Sequence, residues 1–120
     1  MRMLPLLFLG LCLAGCSSDD PGAADRAAYR QGFEALDAGD YDKAVRYLDD
    51  AQRLLPDDPY VALNLGVAYQ ALGKNDEARS AYERAIATGK GVVPVRVTDP
   101  RAAGKSVAEI ATDNLNFIPH

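Results

Sequence analysis

Side chains able to do chemistry are mostly carboxylates in this 120-residue chain. Three groups of aspartates stand close together: Asp37, Asp40 and Asp42; Asp49 and Asp50; Asp57 and Asp58. Paired carboxylates can perform acid–base chemistry or bind calcium. The spacing does not meet the calcium-loop pattern, which needs further oxygen ligands and a glutamate at the twelfth place. Helix caps and helix dipoles explain these aspartates, because they fall where helix ends and solvated faces are expected.

Other reactive groups are scarce. The single histidine is His120, and the sequence has no glycine-rich phosphate loop and no nucleophile elbow. We therefore predict no catalytic residue, no metal site and no small-molecule substrate, so an enzyme is not expected. The chain carries 13 Lys and Arg against 17 Asp and Glu, a net charge of −4. This acidic balance, without a basic stripe, argues against binding to nucleic acid.

Cys16 follows a segment with the features of a secretory signal. Arg2 supplies a positive start, residues 4–13 form an apolar run, and the small residues Ala14 and Gly15 precede the cysteine. The run is too short to span a bilayer as a mature helix. The sequence Leu-Ala-Gly-Cys at this point resembles the bacterial lipobox, which implies that Cys16 is lipidated and begins the mature protein. An ordinary cleaved signal with an incidental cysteine is the alternative.

The lipobox resemblance divides the start of the chain into a signal peptide, residues 1–15, and a flexible tether, residues 16–24. Ser17 stands where an aspartate tends to hold such lipoproteins at the inner membrane. We therefore expect an outer-membrane lipoprotein, anchored by acyl chains such as palmitate and facing the periplasm. Each buried methylene of the anchor contributes about 0.8 kcal/mol. Because Cys12 leaves with the signal and Cys16 carries lipid, the mature domain has no thiol for a disulfide, and no cofactor beyond the covalent lipid is expected.

An internal repeat with a spacing of 34 residues occupies the middle of the chain. Small and bulky residues recur at this spacing: Gly32 as Gly66, Gly39 as Gly73, Ala44 as Ala78, Leu48 as Tyr82, and Ala51 as Ala85. Small residues allow helices to approach closely, and the bulky residue fills the space between them. The period and its content resemble the tetratricopeptide repeat, a pair of antiparallel helices that stacks on its neighbour.

The resemblance covers residues 25–91, with one unit at residues 25–58 and a second at residues 59–92. The second unit matches better; it has Ala62 where the family has tryptophan and Lys90 where the family has proline. Within the units we predict a first helix capped by Asp25 and ended by Gly39. A second helix, residues 41–55, is capped by Asp40. Asp58 and Pro59 begin a third helix that ends at Gly73, and a fourth spans residues 75–88.

The last region, residues 92–120, is predicted to contain an extended apolar segment and a capping helix. Ser106 and Glu109 form a capping box that opens this helix. Its apolar side is formed by Val107, Ile110, Ala111 and Leu115. The predicted fold is all-α, two helix-turn-helix units of an α-solenoid plus this helix. In one interpretation the helix seals the open end of the second unit; in the other, residues 92–97 lie in the groove of the repeats and block it.

The family resemblance also implies a partner-binding groove along the first helix of each unit. The corresponding residues are Arg26, Tyr29, Phe33, Leu36, Tyr60, Leu63, Val67 and Gln70. Such a strip suits an amphipathic helix or an extended apolar peptide, unless these side chains are core or are covered by the chain's own C-terminal segment. Asn64 matches an asparagine of the family members that grip a C-terminal carboxylate, but Tyr29 and Phe33 replace the lysine and asparagine also needed.

The resulting prediction is a membrane-anchored adaptor that binds another protein in the bacterial cell envelope, possibly in pilus or secretion-system assembly. Its expected partners are a protein or peptide and, through the lipid, a membrane. Two alternatives remain open: an adaptor for peptidoglycan enzymes, and a structural lipoprotein whose groove is filled by its own chain.

Overall fold

The structure, a computed structural model, describes residues 22–94, 97 and 99–120. These residues form five α-helices and one 3₁₀ turn and contain no strand, so the prediction of an all-α fold is confirmed. The helices are α1 (Ala23–Asp37), α2 (Tyr41–Leu54), α3 (Pro59–Ala71), α4 (Asn75–Thr88) and α5 (Val107–Asn116), and the 3₁₀ turn is Pro100–Ala102. The predicted signal peptide, Cys16, most of the tether, and residues 95 and 96 of the extended segment lie outside the described residues.

Side-chain caps begin α2 and α3 as the sequence predicted. The Asp40 carboxylate accepts a hydrogen bond from the Lys43 backbone N–H at 3.2 Å. The Asp58 carboxylate accepts from the backbone N–H groups of Tyr60, at 2.8 Å, and Val61, at 3.2 Å. These bonds satisfy donors that a helix leaves unpaired in its first turn.

The start of α1 differs from the prediction. The helix begins at Ala23 after Gly22, with no side-chain cap, and Asp25 lies within its first turn. The prediction that Asp25 caps α1 is therefore wrong. Alanine is the best helix former, so Ala23 and Ala24 extend the helix past the position where the aspartate would begin it. Asp25 instead places its charge near the positive end of the helix dipole.

Two glycines end the first helix of each pair, as predicted. Gly39 has φ +79° and Gly73 has φ +73°, a left-handed conformation that residues with a Cβ atom rarely adopt. In each turn a backbone hydrogen bond of 2.9 Å closes the connection, from Asp40 N to Ala35 O and from Lys74 N to Tyr69 O. The two helices of each pair therefore run back against each other.

Alanines allow the helices to pack closely. One buried cluster joins the first pair to α3 and consists of Ala35, Ala44, Leu48, Ala51, Val61, Leu65, Ala68 and Ala81. A second cluster joins the second pair to α5 and consists of Ala62, Ala78, Tyr82, Ala85, Val107, Ala111 and Ile118. Five of the eight members of the first cluster are alanine, so the bulky Leu48 and Leu65 fill the space that the small residues leave.

Helix α5 closes the end of the second unit. Its capping box is formed as predicted: the Ser106 backbone N–H donates to Glu109 Oε2 at 2.7 Å, and the Glu109 backbone N–H donates to Ser106 Oγ at 3.2 Å. The Val107 backbone N–H donates to the Val92 carbonyl at 2.7 Å, which ties α5 to the end of the repeats. Val107 is fully buried and Ile118 is 2% exposed. The contacts are those of a helix that seals the apolar end of the array.

Candidate functional site

A cleft of about 1260 Å³ separates the first helix of each pair from the chain that follows α4. Six of the eight predicted groove residues line it: Tyr29, Phe33, Leu36, Tyr60, Leu63 and Val67. The three from α1 are spaced by four and three residues, and the three from α3 by three and four. At these spacings the side chains share one face of each helix, and α1 and α3 present these faces to the same space.

The remaining two predicted residues do not line the cleft. Gln70 is engaged elsewhere, because its side-chain carbonyl accepts a 2.6 Å hydrogen bond from the Tyr82 hydroxyl. Burial raises the pKa of Tyr82, and that buried hydroxyl needs a partner. Arg26 is exposed on the first part of α1, one turn before Tyr29. Of the eight predicted groove residues, the six apolar and aromatic ones therefore line the cleft, and the two polar ones, Arg26 and Gln70, do not.

Aromatic side chains dominate the repeat wall of the cleft. The rings of Tyr29 and Phe33 stack with centroids 6.4 Å apart and planes inclined by 27°. Phe33 is 43% exposed although it is large and apolar. Exposed aromatic groups in a concave site are typical anchors for protein partners.

The hydroxyl of Tyr29 is held by a neighbouring amide. Asn64 Nδ2 donates to it at 3.2 Å across the two pairs of helices. Burial and the nearby carboxylate of Asp58 raise the pKa of Tyr29, while the hydrogen bond from Asn64 acts in the opposite direction. Tyr29 is therefore a neutral hydrogen-bonding group in the cleft at physiological pH.

The second wall of the cleft comes from the chain after the repeats, and the sequence analysis did not predict it as a binding surface. Its residues come from the connection to α5 and from one side of α5: Pro94, Val97, Asp99, Arg101, Ala102, Lys105, Ile110, Asp113, Asn114, Asn116 and Phe117. Ile110 was predicted on the docked side of α5 with Val107, but it faces the cleft instead. Ile110 and Phe117 are apolar but lie outside the face of α5 that docks on the repeats. Two apolar residues outside the docked face are the signal in the sequence that could have indicated this wall. Phe117 is 74% exposed.

Charges on the second wall are paired with each other. Arg101 Nη2 lies 2.6 Å from Asp99 Oδ2, and Lys105 Nζ lies 2.6 Å from Asp113 Oδ2. The hydrogen bond from the Arg101 side chain lowers the pKa of Asp99 to about 2. Both cations of this wall therefore already have an anionic partner, and the paired charges cancel.

Asp37, at the last turn of α1, is the remaining charged residue among those that line the cleft. It is exposed, and Asp40 and Asp42 follow it in the chain. This end of the cleft is therefore acidic, whereas the other lining residues are either uncharged or members of the two ion pairs.

Two further features bear on function. Within the described ranges, no group of three or more histidine, cysteine, aspartate or glutamate side chains is arranged to hold a metal ion. None of the helices from α1 to α5 combines the length and the apolar character that crossing a membrane requires.

Comparison with known families gives one match. Residues 35–92 match a family model described as "Tetratricopeptide repeat", which spans the end of α1 and all of α2, α3 and α4. Searches against curated proteins and against solved structures gave no significant match.

Proposed function

Because residues 35–92 belong to the tetratricopeptide repeat family, whose domains are typically non-catalytic and bind proteins or peptides, we propose that this chain is a membrane-anchored adaptor. Its work is to hold a partner protein in the cleft between the repeats and the C-terminal wall. The partner would insert apolar side chains between the aromatic strip of α1 and α3 and the apolar residues around α5.

The observation that carries the proposal is the apolar strip itself. Six predicted groove residues line one cleft; five of them also pack against the two buried clusters, and Phe33 remains 43% exposed there. Burying such side chains against a partner contributes about 25 cal/mol per Å² of apolar area, before the cost of association is subtracted. An aromatic strip in a concave site is thus suited to serve as the anchor of an interface.

The anchor is proposed from the sequence Leu-Ala-Gly-Cys at residues 13–16. With Cys16 lipidated and Ser17 after it, the protein would be held at the outer membrane and face the periplasm. Six residues lie between Cys16 and the start of α1 at Ala23, so the two Cα atoms are seven steps apart, and at about 3.5 Å per step they are at most about 25 Å apart. The cleft would then be presented close to the membrane surface.

The biological process is a further step of the proposal. We favour pilus or secretion-system assembly, where small lipoproteins of this repeat type hold envelope proteins, and an adaptor for peptidoglycan enzymes is the alternative. Neither follows from the fold, because one scaffold serves many partners. A second candidate function is a structural lipoprotein whose groove is filled by residues 92–97; Pro94 and Val97, which line the cleft, favour it.

In-cell crosslinking tests the adaptor. The protein is crosslinked mildly in its own cells and captured, and its partners are identified by mass spectrometry beside a Phe33→Ser/Tyr60→Ser variant. The matched control is Leu54→Ser, because Leu54 is 53% exposed and does not line the cleft. We expect one envelope component to be enriched with the wild type and the control and lost with the double variant. Equal capture by all three would contradict the role of the cleft, and crosslinks only within the chain would support the structural protein.

A further inference from the structure

Resting on the proposed lipidation of Cys16, we infer that the cleft is also an acyl-chain site, which holds an acyl chain from Cys16 of the same molecule when the protein is away from a membrane. This occupant is a lipid chain carried by the protein itself, so it differs in chemistry from the partner protein. Because both use the same apolar walls, the acyl chain and the partner exclude each other. The cleft then becomes free for a partner only after the acyl chain has entered a membrane.

A long connection between α4 and α5 gives the repeats a second wall. Residues 55–58 connect α2 to α3, whereas the longer range 89–106 connects α4 to α5. This connection leaves the repeats and returns to them at one point, because the Val107 backbone N–H donates to the Val92 carbonyl at 2.7 Å. Among its described residues, Pro94, Val97 and Ala102 line the cleft opposite α1 and α3. A chain inserted here therefore meets apolar groups on both sides.

The cleft offers the room and the exposed apolar surface that an acyl chain requires. Its volume of about 1260 Å³ exceeds the range of about 300–1,000 Å³ usual for sites that enclose small ligands. Phe33 on the repeat wall is 43% exposed, and Phe117 on the second wall is 74% exposed. The hydrophobic effect has no directional requirement, so a methylene chain lying between these rings removes apolar surface of both walls from water.

Polar groups of the cleft that could oppose a lipid are paired within the protein. Asn64 Nδ2 donates to the Tyr29 hydroxyl at 3.2 Å, and Arg101 and Lys105 each lie 2.6 Å from an aspartate oxygen. An acyl chain brings neither a donor nor an acceptor with it. Its entry therefore leaves these bonds intact and buries no new polar group without a partner.

The short tether keeps the acyl chain within reach of the cleft. The Cα atom of Cys16 is at most about 25 Å from that of Ala23, where α1 begins. Phe33 follows ten residues after Ala23, which is about 15 Å along α1 at about 1.5 Å per residue. The tether can thus fold back beside α1 and bring the acyl chain to Phe33. Attachment also gives the chain a local concentration of millimolar order, which favours it over free fatty acids.

A bilayer competes with the cleft for the same acyl chain. The cleft is open on one side, whereas a bilayer surrounds an inserted chain completely and so removes more of its methylene groups from water. The chain therefore moves to a membrane when one is present. This difference in burial couples membrane attachment to the opening of the cleft.

Photo-crosslinking from the lipid tests the inference. Cells are fed a palmitate analogue that carries a diazirine, and the full-length protein is purified as cells make it. It is then transferred either to detergent-free buffer or to phosphatidylcholine vesicles and irradiated. In detergent-free buffer we expect a monomer, with crosslinks inside one molecule that map to peptides containing Phe33 or Phe117. In vesicles these crosslinks should be lost.

Two variants separate the cleft from other surfaces. Phe33→Ser/Phe117→Ser changes one exposed ring on each wall, so it should fold normally by circular dichroism, lose the crosslinks and aggregate without detergent. Leu54→Ser, which is exposed outside the cleft, should behave as the wild type. Aggregation of the labelled wild type, crosslinks between two molecules, or crosslinks only outside the cleft would overturn the inference and leave the adaptor in place. Absence of the analogue from Cys16 would overturn the proposed anchor together with the inference.

Discussion

Gly66 lies against the ring of Tyr82 so closely that the two helices of the second pair have no room for a side chain between them. A Cβ atom at Gly66 would overlap Cδ1 and Cε1 of the ring and stand 2.9 Å from Cζ. Gly32 has the same relationship to Leu48 one repeat earlier, where a Cβ atom would lie 2.6 Å from Cγ. In both copies of the 34-residue repeat, a glycine on the first helix of the pair therefore lies against a large side chain on the second helix.

Substitution at this contact should break the fold. Gly66→Leu places four carbon atoms where the Tyr82 ring lies, and overpacking of this kind typically costs 1–3 kcal/mol or more. We expect a melting temperature lowered by roughly 5–20 °C, or no cooperative transition, in circular dichroism. Ala71→Leu, at an exposed position at the end of the same helix, is the control and should melt within a few degrees of the wild type. Equal melting of both variants would contradict the close approach.

The helices and their ends were largely predictable because they depend on neighbouring residues. Asp40, Asp58 and Ser106 cap helices through bonds to residues two or three positions ahead, so the sequence contains all of the information. The start of α1 was predicted incorrectly, since Asp25 has the residue type of a cap while alanines extend the helix before it. Competition between two local preferences decided that position, and a single residue type could not indicate the result.

The cleft was only half predictable from the sequence. The repeat wall follows from the family pattern, because the period assigns Phe33 and Tyr60 to equivalent faces. The second wall depends on how α5 docks on α4, which is set by Val107 and Ile118 entering the space over Tyr82. No repeat period specifies that arrangement, since it joins residues far apart in the chain. For this reason the sequence did not predict the ion pairs Asp99–Arg101 and Lys105–Asp113 or the position of Asn114 in the second wall.

The C-terminal region should be essential for stability. Ending the chain after Lys90 removes α5 and exposes Tyr82 and Ala85, and the loss of buried Val107 and Ile118 alone removes about 1.5–3 kcal/mol for each. Against a typical total of 5–15 kcal/mol, we expect the melting temperature to fall sharply.

A truncation after Ile118 is the control for this experiment. It keeps the buried isoleucine and removes only the tail that carries the Pro119 carbonyl, to which Arg79 donates at 3.1 Å. We expect it to melt close to the wild type. If the chain ending at Lys90 kept its stability and bound partner more tightly, the C-terminal region would be a displaceable plug and not a cap.

Lipid attachment can be tested at one residue. Cys16→Ala removes the thiol that the lipobox-like sequence offers for acylation, so the variant should remain as the longer precursor and take up no radiolabelled palmitate. Cys12→Ala is the matched control, because Cys12 lies within the predicted signal and should be dispensable for labelling. Continued labelling of the Cys16 variant would contradict the proposed anchor.

The capping box of α5 should make stability depend on pH. The hydrogen bond from the Ser106 backbone N–H, joined by the one involving its side chain, lowers the pKa of Glu109 below its ordinary value of 4.5. A carboxylate whose pKa is lower in the folded state stabilises that state above the unfolded pKa, and this contribution is lost as pH falls through the folded pKa. Glu109→Gln, which cannot ionise, should therefore melt below the wild type at pH 7. The two melting temperatures should converge as the pH is lowered from 4.5 towards the folded pKa.

Glu83→Gln, an exposed position on α4, provides the control for the charge change. A gap between Glu109→Gln and the wild type that stays constant down to about pH 2 would show that the geometry of the cap, and not its charge, holds α5 in place.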